Sequence, residues 1–263
     1  MKKIAVVGRG WVGKKIAQEL RNRQHEVYVL SHDQAMEAGR LSRYGLEWVI
    51  NCAGVTGTPN VDACELNKEN TIEGNAIYPT LLHDRCDRLG IRYAHFSSGC
   101  IYSGEIDSPD AEGNFVGSTY SLSKLVSDTY LKSRALVFRI RMPFVGVDDP
   151  KNLLTKLYKY AKVSKLVDLG QNSLTDLDEA ISVAVDLIES NAPNGPYNLV
   201  NPGSVDMHEL TELMGITPEF YSKDEFFSHV KTGRSTCVIP CNVVMTDVRT
   251  ALKKAILNMS RGE

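Results

Sequence analysis

The feature that most constrains this chain lies in residues 1–13, where a short apolar run meets three closely spaced glycines. The run Ile4–Val7 is rich in β-branched residues and predicts a buried parallel strand. Gly8, Gly10 and Gly13 follow at G-x-G-x-x-G spacing, before a helical pattern over 14–21. In this pattern the first glycine permits a tight turn, the second lets a pyrophosphate approach, and the third allows close helix–strand packing. The chain is therefore predicted to bind a dinucleotide; the alternative is a glycine turn in an α/β domain that binds none.

Composition excludes several function classes. The chain has 263 residues and a formal net charge of −2, so no basic excess points to nucleic acid or to an anionic membrane. The six cysteines form no C-x-x-C pair, which predicts free thiols in a reducing compartment and no metal site. No apolar stretch approaches the roughly 18 residues that span a bilayer. These features predict a soluble cytoplasmic protein.

Strand and helix patterns alternate through the first half of the chain. This alternation predicts an α/β fold with a Rossmann-type, doubly wound parallel sheet. The alternation weakens later, so residues 1–145 are predicted to form the dinucleotide-binding core. Residues 146–263 are predicted to form a smaller, mainly substrate-binding part, with some segments returning to the core. The predicted strands are 25–30, 48–54, 90–98, 136–141 and 197–200, and the predicted helices are 61–87, 120–131, 152–161, 175–189, 207–214, 224–231 and 247–258.

Small and polar residues end two of the predicted strands, at Asn51–Gly54 and Ser97–Ser98. Strand ends of this kind face the ligand crevice of open α/β sheets. The long polar loop 103–118 is typical of a functional cover. The segment 31–47 leaves little room for a further strand. Asp33 lies beyond the second strand and no arginine follows at once, so the choice between NAD and NADP stays open.

Tyr120 and Lys124 carry the chemistry that the sequence predicts. Their i, i+4 spacing places both side chains on one face of a helix. A nearby lysine favours the phenolate and is expected to lower the pKa of the tyrosine, which suits proton exchange at a carbonyl. Ser98 can polarise the same carbonyl. The alternative is an amphipathic surface pair, and the position after the two polar strand ends favours the catalytic interpretation.

Seven stretches together resemble the extended short-chain dehydrogenase/reductase family. The resemblance covers nearly the whole chain and narrows to dTDP-4-dehydrorhamnose reductases, most closely the nucleotide-rhamnose synthase (3,5-epimerase/4-reductase) branch. The stretches are Asn51-Cys-Ala-Gly-Val-Thr-Gly57, Pro59-Asn-Val-Asp62, Gly99-Cys-Ile101, Asn114-Phe-Val-Gly-Ser118, Tyr120-Ser-Leu-Ser-Lys124, Arg139-Ile-Arg-Met-Pro143 and Asn201-Pro-Gly203.

The resemblance implies reduction of a 4-keto-6-deoxy sugar nucleotide by NADPH, with NADH as the other candidate. Tyr120 would protonate the C4 oxygen, and Lys124 would hold the ribose of the cofactor. The resemblance also implies 3,5-epimerisation, giving UDP- or dTDP-L-rhamnose, with Cys100 and Lys156 as the acid and base. The alternative roles are structural: Cys100 would be a small buried apolar residue, and Lys156 would be a solvated lysine on a helix.

The predicted site contains more residues than these catalytic groups. The predicted cofactor-binding residues are Gly8, Gly10, Trp11, Val12, Gly13, Asn51, Ala53, Gly54, Asn75, Ser97, Tyr120 and Lys124. The predicted substrate-binding residues are Thr56, Asn60, Ser98, Cys100, Arg141 and Asn152.

Two positions depart from the branch that the chain resembles. Thr58 stands where a basic residue is expected, and Cys241 stands where an arginine would make a natural diphosphate contact. Two other functions stay open: a reductase without epimerase activity, and a non-catalytic subunit resembling the β subunit of methionine adenosyltransferase. The resemblance implies a nucleotide sugar as a partner and, because helices at 67–87 and 120–131 pair dimers in many relatives, a second copy of the chain.

Overall fold

The computed structural model describes residues 1–58 and 60–261, so Pro59 of the second motif lies outside the described residues. The strands are β1 (Lys3–Val7), β2 (Glu26–Leu30), β3 (Trp48–Asn51), β4 (Arg92–Ser98), β5 (Gly104–Glu105), β6 (Leu136–Ile140), β7 (Pro143–Phe144), β8 (Leu166–Val167), β9 (Thr175–Asp176), β10 (Gly195–Asn198), β11 (Phe220–Tyr221) and β12 (Cys237–Val238). The α-helices are α1 (Trp11–Asn22), α2 (His32–Met36), α3 (Asp62–Leu66), α4 (Lys68–Ile72), α5 (Tyr78–Arg88), α6 (Thr119–Leu131), α7 (Leu153–Val163), α8 (Leu177–Glu189), α9 (Met207–Leu213), α10 (Lys223–His229) and α11 (Val248–Arg261).

A six-stranded parallel sheet forms the centre of the molecule, in the order β10-β6-β4-β3-β1-β2. Val7, at the end of β1, lies opposite Leu30 of β2 and Asn51 of β3, so three strands end at one level. The chain leaves β1 towards β2 on one side and returns to β3 on the other. Ligands of open α/β sheets bind at such a reversal, outside the carboxyl ends of the strands.

Helices cover both faces of this sheet because successive side chains of a strand point to opposite faces. Ile4 and Val6 pack on the face covered by α1 and α8. Ala5 and Val7 pack on the other face, against side chains of α5 and α6 such as Leu82. The parallel sheet is thus buried on both sides, which explains the near-continuous apolar character of β1.

A separate apolar cluster lies in the second half of the chain, where α7, α9 and α11 pack around residues such as Phe144 and Leu210. Two-stranded pairs join this part to the core. In one of them, Cys237 of β12 lies opposite Gly104 of β5, in the loop after β4. Helix α8 and strand β10 return to the layered core. The partition of the chain at residue 145 stays a prediction.

The structure confirms the predicted fold class and refines several elements. Segment 31–47 contains the short helix α2 and a 3₁₀ turn, Leu41–Tyr44, where the sequence left little room for a strand. The predicted helix over 61–87 is interrupted at Asn67, whose side chain caps α4, and contains a π-helical turn, Glu73–Ile77. In the part of the chain that the structure describes, no helix is long and apolar enough to cross a membrane.

Candidate active site

The glycine turn after β1 has the shape that a pyrophosphate requires. Gly8 has φ +108°, and an added Cβ there would lie 2.7 Å from the backbone N of Ala53. An added Cβ on Gly13 would lie 2.1 Å from the carbonyl oxygen of Gly8. Gly10 is exposed, and an added Cβ there meets no atom within 4 Å, so an open cradle faces the start of α1.

The N-terminus of α1 adds favourable electrostatics to this cradle. Gly10 is the N-cap and provides no side-chain acceptor, and the first turn contains no acidic residue. The first backbone N–H groups of the helix, at Trp11, Val12 and Gly13, therefore remain for an anion at the positive end of the helix dipole. These observations fit the pyrophosphate of a dinucleotide.

Arg9 was missed by the sequence analysis as a cofactor-site candidate. Its guanidinium donates to Gln34 Oε1 at 2.8 Å, beside the end of β2 where the adenosine ribose binds in this fold. Ser31 and Gln34 form a capping box that fixes the start of α2. The Asp33 side chain is 97% exposed. The sequence signal for Arg9 is its position between Gly8 and Gly10, whereas an arginine for the 2′-phosphate was expected directly after β2.

The turn after β3 is held by two asparagines that were predicted to contact the cofactor. Asn51 is fully buried, and its Oδ1 accepts from the Ala53 N–H at 2.9 Å. Asn75 clasps Val55, accepting from its N–H and donating to its carbonyl, both at 2.8 Å. Both side chains are thus engaged within the protein, and they shape the loop beneath the predicted cofactor site.

Lys124 lies below this turn and is 5% exposed. Its ammonium donates to the Phe96 carbonyl at 3.4 Å, and an added Cβ on Gly54 would lie 3.2 Å from Nζ. The glycine therefore leaves space above the lysine. Burial lowers the pKa of Lys124 to about 8, against the opposing effect of the Asp128 carboxylate.

Tyr120 and Ser98 come together near Lys124, but the expected pKa of the phenol is wrong. Burial and the nearby Cys100 raise the pKa of Tyr120 above its ordinary value. Hydrogen bonding with Ser98 and the charge of Arg141 act in the opposite direction. Desolvation disfavours the phenolate more strongly than these groups favour it. In this structure the phenol is therefore held in its protonated form.

A cavity of about 270 Å³ opens beside the phenol. Its wall contains Tyr120, Cys100 and Arg141 from the core, and Asp168 and Arg234 from the second half of the chain. Such a concave site with a few convergent polar groups is typical of a small-molecule pocket. The structure thus brings the predicted Cys100 and Arg141 to the cavity that Tyr120 lines.

Arg141 is 2% exposed and its guanidinium contacts neutral acceptors. It donates to Cys100 Sγ at 3.3 Å, to the Ser235 hydroxyl at 3.1 Å and carbonyl at 2.7 Å, and to Asn172 Oδ1. Its Nε has no hydrogen-bond partner among the described residues. The side chain therefore carries a buried positive charge without a carboxylate in this set of contacts.

Ser97, predicted as a cofactor contact, belongs to a buried ion-pair network. It is 4% exposed and donates to Asp128 Oδ2 at 2.7 Å. The same carboxylate accepts from Arg139 Nε at 2.9 Å. The Ser97 hydroxyl is thus committed to α6, and a contact of this residue with the cofactor stays a prediction.

Asn152, a predicted substrate contact, caps a helix in the structure. It is fully buried at the start of α7, accepting from Val145 and Leu154 and donating to the carbonyls of Val145 and Val147. These bonds give the side chain a structural role, and its contact with substrate stays a prediction. Helix capping was visible in the sequence only as an Asn before an apolar pattern.

Three other predicted residues lie outside the cavity wall in the described structure. Thr56 and Asn60 are exposed on the loop between β3 and α3, beside Val61, which does line the cavity. Lys156 is partly buried on α7; burial lowers its pKa, with Lys151 acting in the same direction. All six cysteines are free thiols, and the described residues contain no group of three or more metal-ligating side chains.

The profile of the NAD dependent epimerase/dehydratase family matches residues 4–145, more than half of the chain. The chain belongs to this family. A relative in Arabidopsis thaliana, a bifunctional dTDP-4-dehydrorhamnose 3,5-epimerase/dTDP-4-dehydrorhamnose reductase, is 36% identical over 190 residues, 67% of this chain and 62% of the relative. Family membership and this similarity agree with the resemblance seen in the motifs.

Two further proteins extend the comparison. A trifunctional UDP-glucose 4,6-dehydratase/UDP-4-keto-6-deoxy-D-glucose 3,5-epimerase/UDP-4-keto-L-rhamnose reductase of Arabidopsis thaliana is 36% identical over 186 residues, 65% of this chain and 27% of the relative. The match therefore spans less than two thirds of the length of either plant relative. The crystal structure of a UDP-rhamnose synthase from Acanthamoeba polyphaga mimivirus has a TM-score of 0.85 and 23% identity, covering 98% of this chain and 99% of that one. This last likeness establishes the shared fold.

Proposed function

We propose that this protein reduces the 4-keto group of a nucleotide-activated 4-keto-6-deoxyhexose, giving UDP- or dTDP-L-rhamnose. The observation that carries the proposal is the convergence of Ser98, Tyr120 and Lys124 between an open glycine cradle and a cavity lined by Cys100 and Arg141. The activities named for the plant relatives support the same reaction class. In this proposal residues 1–145 bind the cofactor and residues 146–263 mainly bind the sugar nucleotide.

Each residue has a defined part in the proposed reduction. A bound dihydronicotinamide would supply a hydride to the sugar C4. Tyr120 transfers its phenolic proton to the C4 oxygen, so the ketone gains one hydride and one proton and becomes an alcohol. The raised pKa of Tyr120 keeps the phenol protonated before the reaction, so the proton is present when negative charge develops on the C4 oxygen. Ser98 donates to the same oxygen, and Lys124 holds the ribose of the cofactor.

We propose NADPH as the preferred cofactor, with NADH as the alternative. The position of Arg9 beside Gln34 supports this choice, since it puts a guanidinium near the end of β2. A guanidinium suits a 2′-phosphate, whereas a carboxylate suits a ribose diol. Asp33 is the nearby carboxylate in sequence, and its side chain is 97% exposed.

We further propose 3,5-epimerisation in the same site. The 4-keto group acidifies the C3 and C5 protons, so one group removes a proton and another returns it on the opposite face. Cys100 lies on the cavity wall with Tyr120, which supports it as the acid. Lys156 is the proposed base, and the lowered pKa of its amine increases the share of the neutral form. Lys156 lies outside the described cavity wall, so its assignment depends on an exchange experiment.

One incubation in D₂O tests both activities. It contains the protein, UDP-4-keto-6-deoxyglucose and NADPH, with cofactor oxidation read by absorbance and deuterium at C3 and C5 read by NMR. Cofactor oxidation with deuterium at both carbons is expected. Tyr120→Phe should abolish oxidation, whereas Tyr130→Phe, at a tyrosine bonded to Asp84, is the matched control. Cys100→Ala and Lys156→Ala should abolish exchange.

Other outcomes would select the alternatives. Oxidation without deuterium would leave a reductase without epimerase activity and return Cys100 and Lys156 to structural roles. No oxidation with the UDP or the dTDP sugar, and with NADPH or NADH, would overturn the enzyme proposal. Copurification with a larger catalytic partner would then support a regulatory subunit.

We also propose a homodimer in a cytoplasmic setting. The six free thiols support a reducing compartment. Two neighbouring helical segments each expose an apolar pair at i, i+4 spacing: Ile77 and Leu81, and Leu122 and Val126. In the proposed dimer, a second copy of this chain covers these four side chains.

A further inference from the structure

The cavity beside Tyr120 has two cationic side chains in its described wall, Arg141 and Arg234. They come from different parts of the chain, one following β6 and the other preceding β12. The acidic groups of the wall, Asp168 and Asp206, each accept a backbone N–H in their own loops, from Gly170 and Glu209. Arg141 and Arg234 are the positively charged side chains of this described wall, so they are the groups that an anionic part of a ligand would contact.

Ser235 holds the two arginines close together. Arg141 donates to both the hydroxyl and the carbonyl of Ser235, and Ser235 directly follows Arg234. The preceding residues are fixed to the core as well, because Gly233 and Thr232 both donate to the carbonyl of Gly117 at 3.0 Å. The segment that carries Arg234 is thus anchored on both sides of the guanidinium.

Arg234 itself is paired with Asp62 at the start of α3. Its two terminal nitrogens donate to the two carboxylate oxygens at 2.9 and 2.8 Å, and both side chains are about one fifth exposed. A planar guanidinium binds a carboxylate and a phosphate with the same forked geometry. Asp62 therefore occupies the fork that a phosphate would use.

Arg141 brings a second positive charge to the cavity wall from the buried side. Its charge is met by neutral acceptors, and its Nε has no partner among the described residues. A buried charge without a counter-ion is costly, so a ligand anion here would relieve that cost. Among the described residues, Arg141 contacts no carboxylate, whereas Arg234 contacts both oxygens of Asp62, as it would contact two oxygens of a phosphate.

We propose that Arg234 binds the diphosphate of the sugar nucleotide together with Arg141, and that Asp62 is an internal placeholder which the diphosphate displaces. The inference rests on the proposed function, since it assumes a nucleoside diphosphate group in the substrate. No bond is made or broken; the fork exchanges one anion for another.

Substitutions of the two residues of this ion pair are expected to change the affinity for UDP in opposite directions. Arg234→Gln should weaken binding of UDP on the order of 10- to 100-fold, as for loss of one partner in a partly desolvated charge pair. Asp62→Asn should strengthen binding, because it removes both the competitor and a like charge beside the phosphates. A pair that serves only to join α3 to the loop would change stability in both variants and leave the affinity for UDP unaltered.

The measurement is isothermal titration of the full-length protein with UDP, dTDP and uridine, with NADPH binding and the melting temperature measured on the same samples. Arg249→Gln is the matched control, because Arg249 forms a similar fork on Glu209 away from the cavity wall. Uridine should bind equally to wild type and Arg234→Gln, since it has no phosphate.

Weaker UDP binding in Arg234→Gln with tighter binding in Asp62→Asn would support the proposal. Unchanged UDP affinity in Arg234→Gln, or equal losses in both variants, would overturn it while leaving the proposed reductase intact. Absence of UDP and dTDP binding in the wild-type protein, with NADPH binding retained, would overturn this inference and the proposed substrate class together.

Discussion

Lys124 is the residue at which function and stability oppose each other most clearly. Burial lowers its pKa from 10.5 to about 8, so the folded chain at pH 7 buries a charged ammonium at a cost. We expect Lys124→Met to raise the free energy of unfolding at pH 7 by roughly 2–3 kcal/mol, since one pKa unit corresponds to about 1.4 kcal/mol. The same variant should lose activity.

The free energy of unfolding that Lys124 costs the wild-type protein is expected to depend on pH. Between about pH 8 and 10.5 the unfolded chain binds a proton at Lys124 that the folded chain does not, so the wild type gains stability as pH rises. The advantage of Lys124→Met should therefore shrink over that window. Urea unfolding of the cofactor-free protein measures it, with Lys159→Met, at an exposed lysine of α7, as control. A constant advantage up to pH 10.5 would contradict the explanation.

Arg9 provides a second test at this scale. We expect Arg9→Gln to raise the KM for NADPH on the order of tenfold and to leave the KM for NADH nearly unchanged, because a 2′-phosphate contact is worth a charge-assisted hydrogen bond. Steady-state kinetics with both cofactors measure this, and Arg43→Gln, at another exposed arginine, is the control. Equal changes for NADPH and NADH would remove Arg9 from the 2′-phosphate site.

Among the elements, the turn from β1 to α1 contains one glycine that folding requires and another that we expect only cofactor binding to require. A Cβ at position 13 would lie 2.1 Å from the carbonyl oxygen of Gly8, whereas one at position 10 meets open space. We expect Gly13→Ala to lower the melting temperature strongly or to prevent folding. Gly10→Ala should fold normally and weaken NADPH binding at least tenfold, because its methyl group fills the cradle for the pyrophosphate.

Thermal unfolding and cofactor titration of the two alanine variants provide the measurement. Gly10 has φ −74° and open space around its Cβ position, so an alanine there brings no backbone strain, and an unchanged melting temperature of Gly10→Ala is the control for folding. Tight NADPH binding by Gly10→Ala would mean that the cofactor does not approach the backbone at the second glycine.

For the whole molecule, the exposed apolar face on 77–81 and 122–126 determines the expected oligomeric state. A charge in the centre of an apolar interface is left unpaired and desolvated, so Val126→Glu should convert a dimer to a monomer. Sedimentation velocity measures the change. Leu257→Glu, at a similarly exposed leucine of α11, should leave the state unaltered. A wild-type monomer at micromolar concentration would contradict the proposed dimer.

The sequence by itself determined the features that depend on local chemistry. Glycine spacing, β-branched runs and the i, i+4 relation of Tyr120 and Lys124 are local, so the first βα unit, the parallel strands and helix α6 were predictable. Helix capping is also local. Asn152 was nevertheless predicted as a substrate contact, and the structure shows that its side chain caps α7.

Only the tertiary structure decided which polar groups face the crevice and what their charges meet. The ordinary assumption about a lysine near a phenol failed because Tyr120 is desolvated, and desolvation depends on atoms from distant parts of the chain. Asn51 and Ser97 lie at the ends of strands as expected, and Asn75 lies in a π-helical turn, yet the side chains of all three are hydrogen-bonded within the fold. The pairing of Arg234 with Asp62 joins residues 172 positions apart. Such contacts depend on chain topology and have no local signal in the sequence.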